Sequence, residues 1–173
     1  TDPTSSVDLI SPYWQTVSPL TVTATASDGV SGVKDVELWY RYSGDNSSWG
    51  VWTWFGTDAT SPYGWSFDFP DGEGYYEFYS RAHDNAGNYE AAPGARDALC
   101  AYDVTGPEIT ATTPVDGATG VAVTQNVIID FSEAIDTSTF AYTCSPDPGG
   151  WTETWSNGDT RVTLTHNNFA AST

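Results

Sequence analysis

Residues 74–88 read GYYEFYSRAHDNAGN, and this stretch constrains the fold more than any other. Tyr76, Phe78, Ser80 and Ala82 alternate with Tyr75, Glu77, Tyr79, Arg81 and His83, a period of two that predicts a strand with one apolar and one mixed face. Asp84-Asn85-Ala86-Gly87-Asn88 must then turn the chain, since Asp and Asn bond their own backbone and Gly accepts positive φ. Asp71-Gly72-Glu73-Gly74 supplies the opposite bend. A central strand is predicted between these two turns. A tyrosine just after a Gly-containing corner, two residues before a buried position, pins such a strand in two-sheet sandwiches, and Tyr76 and Phe78 fit that spacing.

The flanking segments extend the pattern. Leu20, Val22, Ala24 and Ala26 alternate with threonines, and Val36, Leu38, Tyr40 and Tyr42 alternate with Glu37, Trp39 and Arg41. Further strands are predicted at Val7 and Leu9, over 49–55 and 65–69, and near 98–104, with turn residues between them. About seven short strands are what a sandwich of roughly a hundred residues requires. At Thr105-Gly106-Pro107 the opening Thr1-Asp2-Pro3 is repeated, each followed by a β-like run that a proline closes, Pro114 or Pro12. Two units are therefore expected, 1–105 and 106–173. In the second, strands are predicted at 127–131, 140–144, 151–155 and 161–166, with a short helical excursion over 132–140 and a hairpin turn at Asn157-Gly158-Asp159. The strands laid down by residue 173 are too few for a sandwich, so this unit reads as incomplete.

Charge narrows the partners. Five Lys and Arg against 23 Asp and Glu give a net charge of −18, which repels phosphate backbones and anionic lipid. Nucleic acid is excluded as a partner on this ground. No apolar run is long enough to span a membrane, no secretion leader is present, and the chain opens at Thr1 without Met, as a mature or excised piece would. The acidity itself reads either as a solvated surface or as an attraction for divalent cations.

Residues 27–90, with SDGVSG, VELWYRY and YYEFYSRAHDNAGNYE, resemble the immunoglobulin-like modules repeated in archaeal and bacterial surface proteins. The second unit, with PVDGATGVAV, VIIDFSEAID and STF, resembles the bacterial Ig-like domain. The resemblance implies an all-β chain of two tandem immunoglobulin-like β-sandwiches. It also implies that the second lacks its last strands: either the chain stops before them or a neighbouring molecule donates one. The implied setting is extracellular, at the cell surface, and the implied partners are neighbouring Ig-like modules or identical subunits.

Chemistry is sparse. His83 and His166 fall in different units and outside any nucleophile or zinc motif, no serine lies in a G-x-S-x-G turn, and no cleft is evident for a glycosidase carboxylate pair. The expectation is a non-enzymatic module. Calcium is the candidate cofactor, because hard cations take Asp and Asn oxygens and the loop ends carry Asp28, Asp84, Asn88 and Asp103. Asp28 and Asp84 are expected to close neighbouring strands, and Asp103 to sit at the junction of the units. The competing reading has these side chains bonding their own turns.

Trp39, Trp52 and Trp54 are the candidate partner surface, for glycans or another protein, because alternate residues of a small sandwich must face outward. The alternative is an aromatic cluster packed under the 63–65 loop. Cys100 and Cys144 are a candidate disulfide locking the two units, with an intermolecular bridge or two buried thiols as competitors. Asn46-Ser47-Ser48 is a glycosylation triplet. The functional expectation is a structural and adhesive element of a surface protein or filament; a carbohydrate-binding module of a secreted hydrolase, or a filament subunit assembled by strand donation, stands as the alternative.

Overall fold

The computed structural model describes residues 1–170 and divides into two compact units, Thr1–Val104 and Thr105–Thr173. Among the described residues every regular element is a strand, and no helix is long and apolar enough to cross a membrane.

The first unit contains β1 (Thr4–Val7), β2 (Trp14–Gln15), β3 (Leu20–Ser27), β4 (Val33–Ser43), β5 (Thr53–Asp58), β6 (Tyr63–Phe67), β7 (Gly74–Asp84) and β8 (Ala98–Tyr102). They form a three-stranded sheet, β1-β3-β6, and a five-stranded sheet, β2-β8-β7-β4-β5. The 74–88 segment is the central strand its alternation predicts, paired antiparallel with β4 and β8. Its even-numbered residues Tyr76, Phe78 and Ala82 join Val36, Leu38, Tyr40 and Cys100 in the core, against Val7, Val22, Ala24, Tyr63 and Trp65 of the other sheet. Phe67 is the hub, with its ring 4.8–5.4 Å from those of Tyr40, Phe55, Phe69, Tyr76 and Phe78.

The corner at the start of β7 is pinned as the sequence predicts. The buried Tyr76 hydroxyl donates to the Gly72 carbonyl at 2.7 Å and accepts the Asp71 N–H at 3.2 Å. Burial pushes this phenol well above the ordinary tyrosine range, so it stays a neutral donor at any physiological pH. Tyr76→Phe removes both bonds and keeps the ring; it should lower stability by about 1–2 kcal/mol, read as a reduced urea midpoint at unchanged slope.

A second device closes the seam between the sheets. Pairing of β7 with β8 ends at Phe78 opposite Ala98. Beyond it, the Ser80 N–H donates to Asp97 Oδ2 at 3.0 Å and the Ala82 N–H to Glu90 Oε2 at 2.9 Å. The same carboxylates take the N–H groups of β1: Val7 on Asp97 at 3.0 Å, Ser5 on Glu90 at 3.0 Å, with the Ser5 hydroxyl at 2.6 Å. Two acidic side chains thus stand where a neighbouring strand's carbonyls would, and tie an edge strand of one sheet to the central strand of the other.

Some expected elements differ. The strand predicted over 49–55 begins only at Thr53, because 44–52 form a loop whose turn is organised by the Asp45 carboxylate, which accepts the N–H groups of Ser47 and Ser48. Leu9, expected in a strand, lies past the end of β1 and is 90% exposed. β6 stops at Phe67, and Phe69 turns into the core with φ 52°.

The second unit holds β9 (Ile109–Thr113), β10 (Val127–Phe131), β11 (Thr152–Ser156) and β12 (Arg161–Thr165) in one antiparallel sheet, ordered β11-β12-β10-β9. Val162 and Leu164 are buried, Trp155 lies against Phe131 and Phe140, and Arg161 grips Asp130 through two bonds of 2.5 and 2.9 Å. The hairpin turn falls at Asn157-Gly158-Asp159, all three with positive φ. The helical excursion expected over 132–140 is instead a set of bends and turns, one held by the Asp136 carboxylate on the Ser138 N–H. The strand expected over 140–144 does not form. An apolar groove of about 750 Å³ opens beside the sheet, lined by Val115, Val121, Val123, Val127, Ile129 and Phe169. Positions 171–173, where the lacking strands were expected to begin, lie outside the described residues.

Candidate functional site

The outward face of the five-stranded sheet carries the aromatic residues singled out above. Strand pairing sets Trp54 of β5 opposite Trp39 of β4, and Trp39 opposite Tyr79 of β7, so the three share one row. Trp39 stacks on Tyr79 at 6.0 Å and 10°, and Trp52 meets Tyr79 edge-on at 4.4 Å. Tyr79 is left only 5% exposed, although it faces away from the core. The next row pairs Arg41 with Glu77. Glu77, 1% exposed, accepts Arg41 Nε at 2.7 Å and Arg96 at 2.5 Å, while the Arg41 guanidinium lies 5.3 Å from the Trp49 ring and 4.7 Å from the Trp52 ring. The aromatic cluster therefore exists, but under loop 44–52; Tyr63 and Trp65, the segment expected to cover it, lie in the core. Trp39 and Trp52 are committed to packing. Trp54, 52% exposed, is the member of the predicted set that reaches solvent most.

One outward residue escaped the sequence reading. Trp14, on the two-residue strand β2, is 51% exposed and lies 6.0 Å from Tyr75 on this same face. Its segment shows no alternation, because two residues cannot display a period.

The carboxylates proposed for calcium serve the turns. Asp28 ends β3 in one sheet and Asp84 ends β7 in the other, so they do not close neighbouring strands as expected; the 28–32 turn crosses between sheets and brings them together through Ser31, whose hydroxyl lies 3.1 Å from Asp28 and 2.9 Å from Asp84. Asp28 Oδ2 accepts the N–H groups of Val30, Ser31 and Gly32, and these bonds, led by that of Val30, hold its carboxyl below the ordinary range. Asp84 accepts from the Asn88 side chain and N–H at 2.7 Å each and from the Ala86 N–H at 2.9 Å. Asp103 follows β8, whose Tyr102 is paired with Gly74, at the opposite end of β7 from Asp84. Among the described residues no group of three or more His, Cys, Asp or Glu is placed to hold a metal. Asp28 and Asp84 spend carboxylate oxygens on the N–H and O–H groups of their own turns.

These bonds predict an acid response. Burial alone would raise the Asp84 carboxyl, but the bonds from Asn88, Ser31 and Ala86 outweigh it and hold the group at about 2, below its ordinary 3.8. The unfolded chain takes up this proton first, so the stabilisation is complete above pH 3.8 and is lost as pH falls towards 2. Asp84→Asn should flatten the pH dependence of the urea midpoint across that window.

Cys100, in the first unit, and Cys144, in the second, are both free thiols. Cys100 lies fully buried on the inner face of β8, and burial pushes its thiol up to about 12, whereas Cys144 is partly exposed with its sulfur 3.5 Å from the Pro146 carbonyl. A bridge from Cys100 would require opening the first core. A maleimide reagent should label Cys144 readily and Cys100 only after denaturation. Asn46 is exposed with φ 56° in the Asp45-held turn, and the Ser48 hydroxyl of its triplet donates to Asp45 at 2.9 Å.

His83 lies 2.5 Å from Asp35 through Nδ1 and 3.9 Å ring to ring from Tyr89, and His166 bridges the carbonyls of Asn167 and Gln125. Both rings are absorbed into their own units.

Residues 6–90 match the family described as bacterial Ig domain, and residues 103–173 match the family described as bacterial Ig-like domain. No curated protein and no solved structure matches the chain. With its two-sheet first unit, tyrosine-pinned central strand and all-β second unit, the chain is a tandem pair of bacterial Ig-like domains, a class of structural modules typical of surface and extracellular proteins.

Proposed function

We propose that the chain is a non-catalytic, force-resisting module of an extracellular surface protein. The observation that carries this reading is the parallel pairing of β2, the second strand of the first unit, with β8, its last. The Ala101 N–H donates to the Tyr13 carbonyl at 2.9 Å and the Asp103 N–H to the Gln15 carbonyl at 3.0 Å. Strands that run parallel and adjacent, entered from opposite ends, must slide past one another when the ends are pulled, so all their bonds are strained together instead of opening one by one. The Glu90 and Asp97 bonds to β1 add to this. The contacts of His83 Nδ1 with Asp35 and of the His166 ring with the carbonyls of Asn167 and Gln125 support the non-catalytic part of the reading.

Single-molecule stretching of the full chain between its ends tests this. One cooperative rupture of the first unit is expected, releasing about 300 Å of chain. Gradual extension at low force would count against a mechanical role. Association with neighbouring Ig-like modules or identical copies is a second reading, favoured by the apolar groove of the second unit. Monodisperse monomers at high protein concentration would remove self-association.

A further inference from the structure

We propose that the outer face of the five-stranded sheet binds a neutral polysaccharide, gripped at its two ends by Trp14 and Trp54. These two indoles are each about half exposed, 51% and 52%, and belong to the two edge strands β2 and β5 of one sheet. Pairing places Trp14 in the row of Ala101 and Tyr75, and Trp54 in the row of Trp39 and Tyr79, four residues further along β7. Four strand spacings and four residues of rise put them about 23 Å apart, a distance that suits an extended oligomer better than a single small molecule.

The ground between them is firm. Tyr79 is held by Trp39 stacked on its ring and by Trp52 edge-on to it, and Glu77 is clamped by Arg41 and Arg96. A ligand therefore meets a surface already ordered, and few side chains have to be frozen on binding. Ring faces at either end with polar groups between them match the alternation of C–H faces and hydroxyl edges along a sugar chain.

Charge selects for neutrality. The chain carries −18 overall, which repels polyanions, yet four of its five cationic residues, Lys34, Arg41, Arg81 and Arg96, stand on or beside this face, with Asp35, Glu37 and Glu77 among them. Each cation is already engaged: Lys34 with Asp35, Arg41 and Arg96 with Glu77, Arg81 with the Glu90 carbonyl. Four cations against three carboxylates leave this face near neutral on a strongly acidic molecule, whose overall charge repels an acidic ligand. A protein partner would favour one contiguous apolar patch, whereas here the exposed rings are separated by paired charges.

Affinity electrophoresis of the full chain in gels containing a soluble β-glucan, xylan or galactomannan, with alginate as the anionic control, tests the proposal. Retardation by at least one neutral polymer is expected, with none by alginate. Trp54→Ala and Trp14→Ala should each weaken it about tenfold, the loss of one ring stack. Trp151→Ala, in the second unit, should leave it unchanged. Circular dichroism and the urea midpoint establish that each variant is folded. No retardation by any neutral polymer, retardation by alginate alone, or retardation that survives both substitutions on the folded variants would overturn the assignment. So would a dimer in sedimentation that Trp54→Ala abolishes without glycan binding, which would assign the face to a second copy.

Discussion

Gly74→Ala should destabilise the first unit by about 3–4 kcal/mol and lower its melting temperature by about 15 °C. Gly74 opens β7 with φ 140°, a conformation that L side chains rarely adopt. A Cβ there would meet Tyr42 Cε2 at 2.6 Å, the Ser43 carbonyl at 2.9 Å and the Tyr42 hydroxyl at 2.9 Å. Relief by rotating Tyr42 is obstructed, because its hydroxyl donates to the Glu73 carbonyl at 2.8 Å and its ring packs 5.2 Å from Tyr76. The strain therefore passes to the pinned corner itself. Differential scanning calorimetry checks the result, and Gly72→Ala is a useful contrast. Gly72 also has positive φ, but its Cβ would meet nothing within 4 Å, so only the backbone cost remains and a smaller loss is expected.

Glu90→Ala is the second large effect, about 3 kcal/mol. It strips acceptors from the Ser5 N–H, the Ala82 N–H and the Ser5 hydroxyl at once, in a partly buried seam where bonds to a charged acceptor are each worth about 1.5–3 kcal/mol. Glu90→Gln should fall between wild type and Ala. Its carbonyl oxygen still accepts from one strand, while its amide presents a donor to the other. A denaturant series on the three proteins would show this order. An equal loss for Gln and Ala would mean that the bonds act only as a pair.

The part of the fold legible in the sequence was the part held by alternation and turn chemistry. β3, β4 and β7 each bury a face, so their period is written in the residue order, and the Tyr76 corner rests on local spacing. What escaped depends on long-range partners. β2 exists because the Ala101 and Asp103 N–H groups donate to the Tyr13 and Gln15 carbonyls, the 44–52 loop folds over Tyr79, and Glu90 and Asp97 act across 85 and 90 residues on β1. No local pattern announces any of these. The site shows the same split. Outward tryptophans could be expected from strand parity, but which of them stays bare was decided by Trp52 and Trp39 closing on Tyr79. The carboxylate loops read as cation ligands because Asp and Asn in turns serve both purposes; the bonds made by Asp28 and Asp84 show the turn-holding one.

The central claim is that both ends of the first unit are locked by bonds to other elements. Native-state amide exchange at six positions tests it most directly: Ser5, Val7, Ser80 and Ala82, whose N–H groups meet carboxylates, and Ala101 and Asp103, whose N–H groups meet the carbonyls of Tyr13 and Gln15. The account predicts that all six exchange as slowly as the amides of Leu38 and Phe78 in the centre of the sheet. Exchange at Ser5, Val7, Ala101 and Asp103 as fast as at the exposed loop residues Gly94 and Ala95 would contradict it.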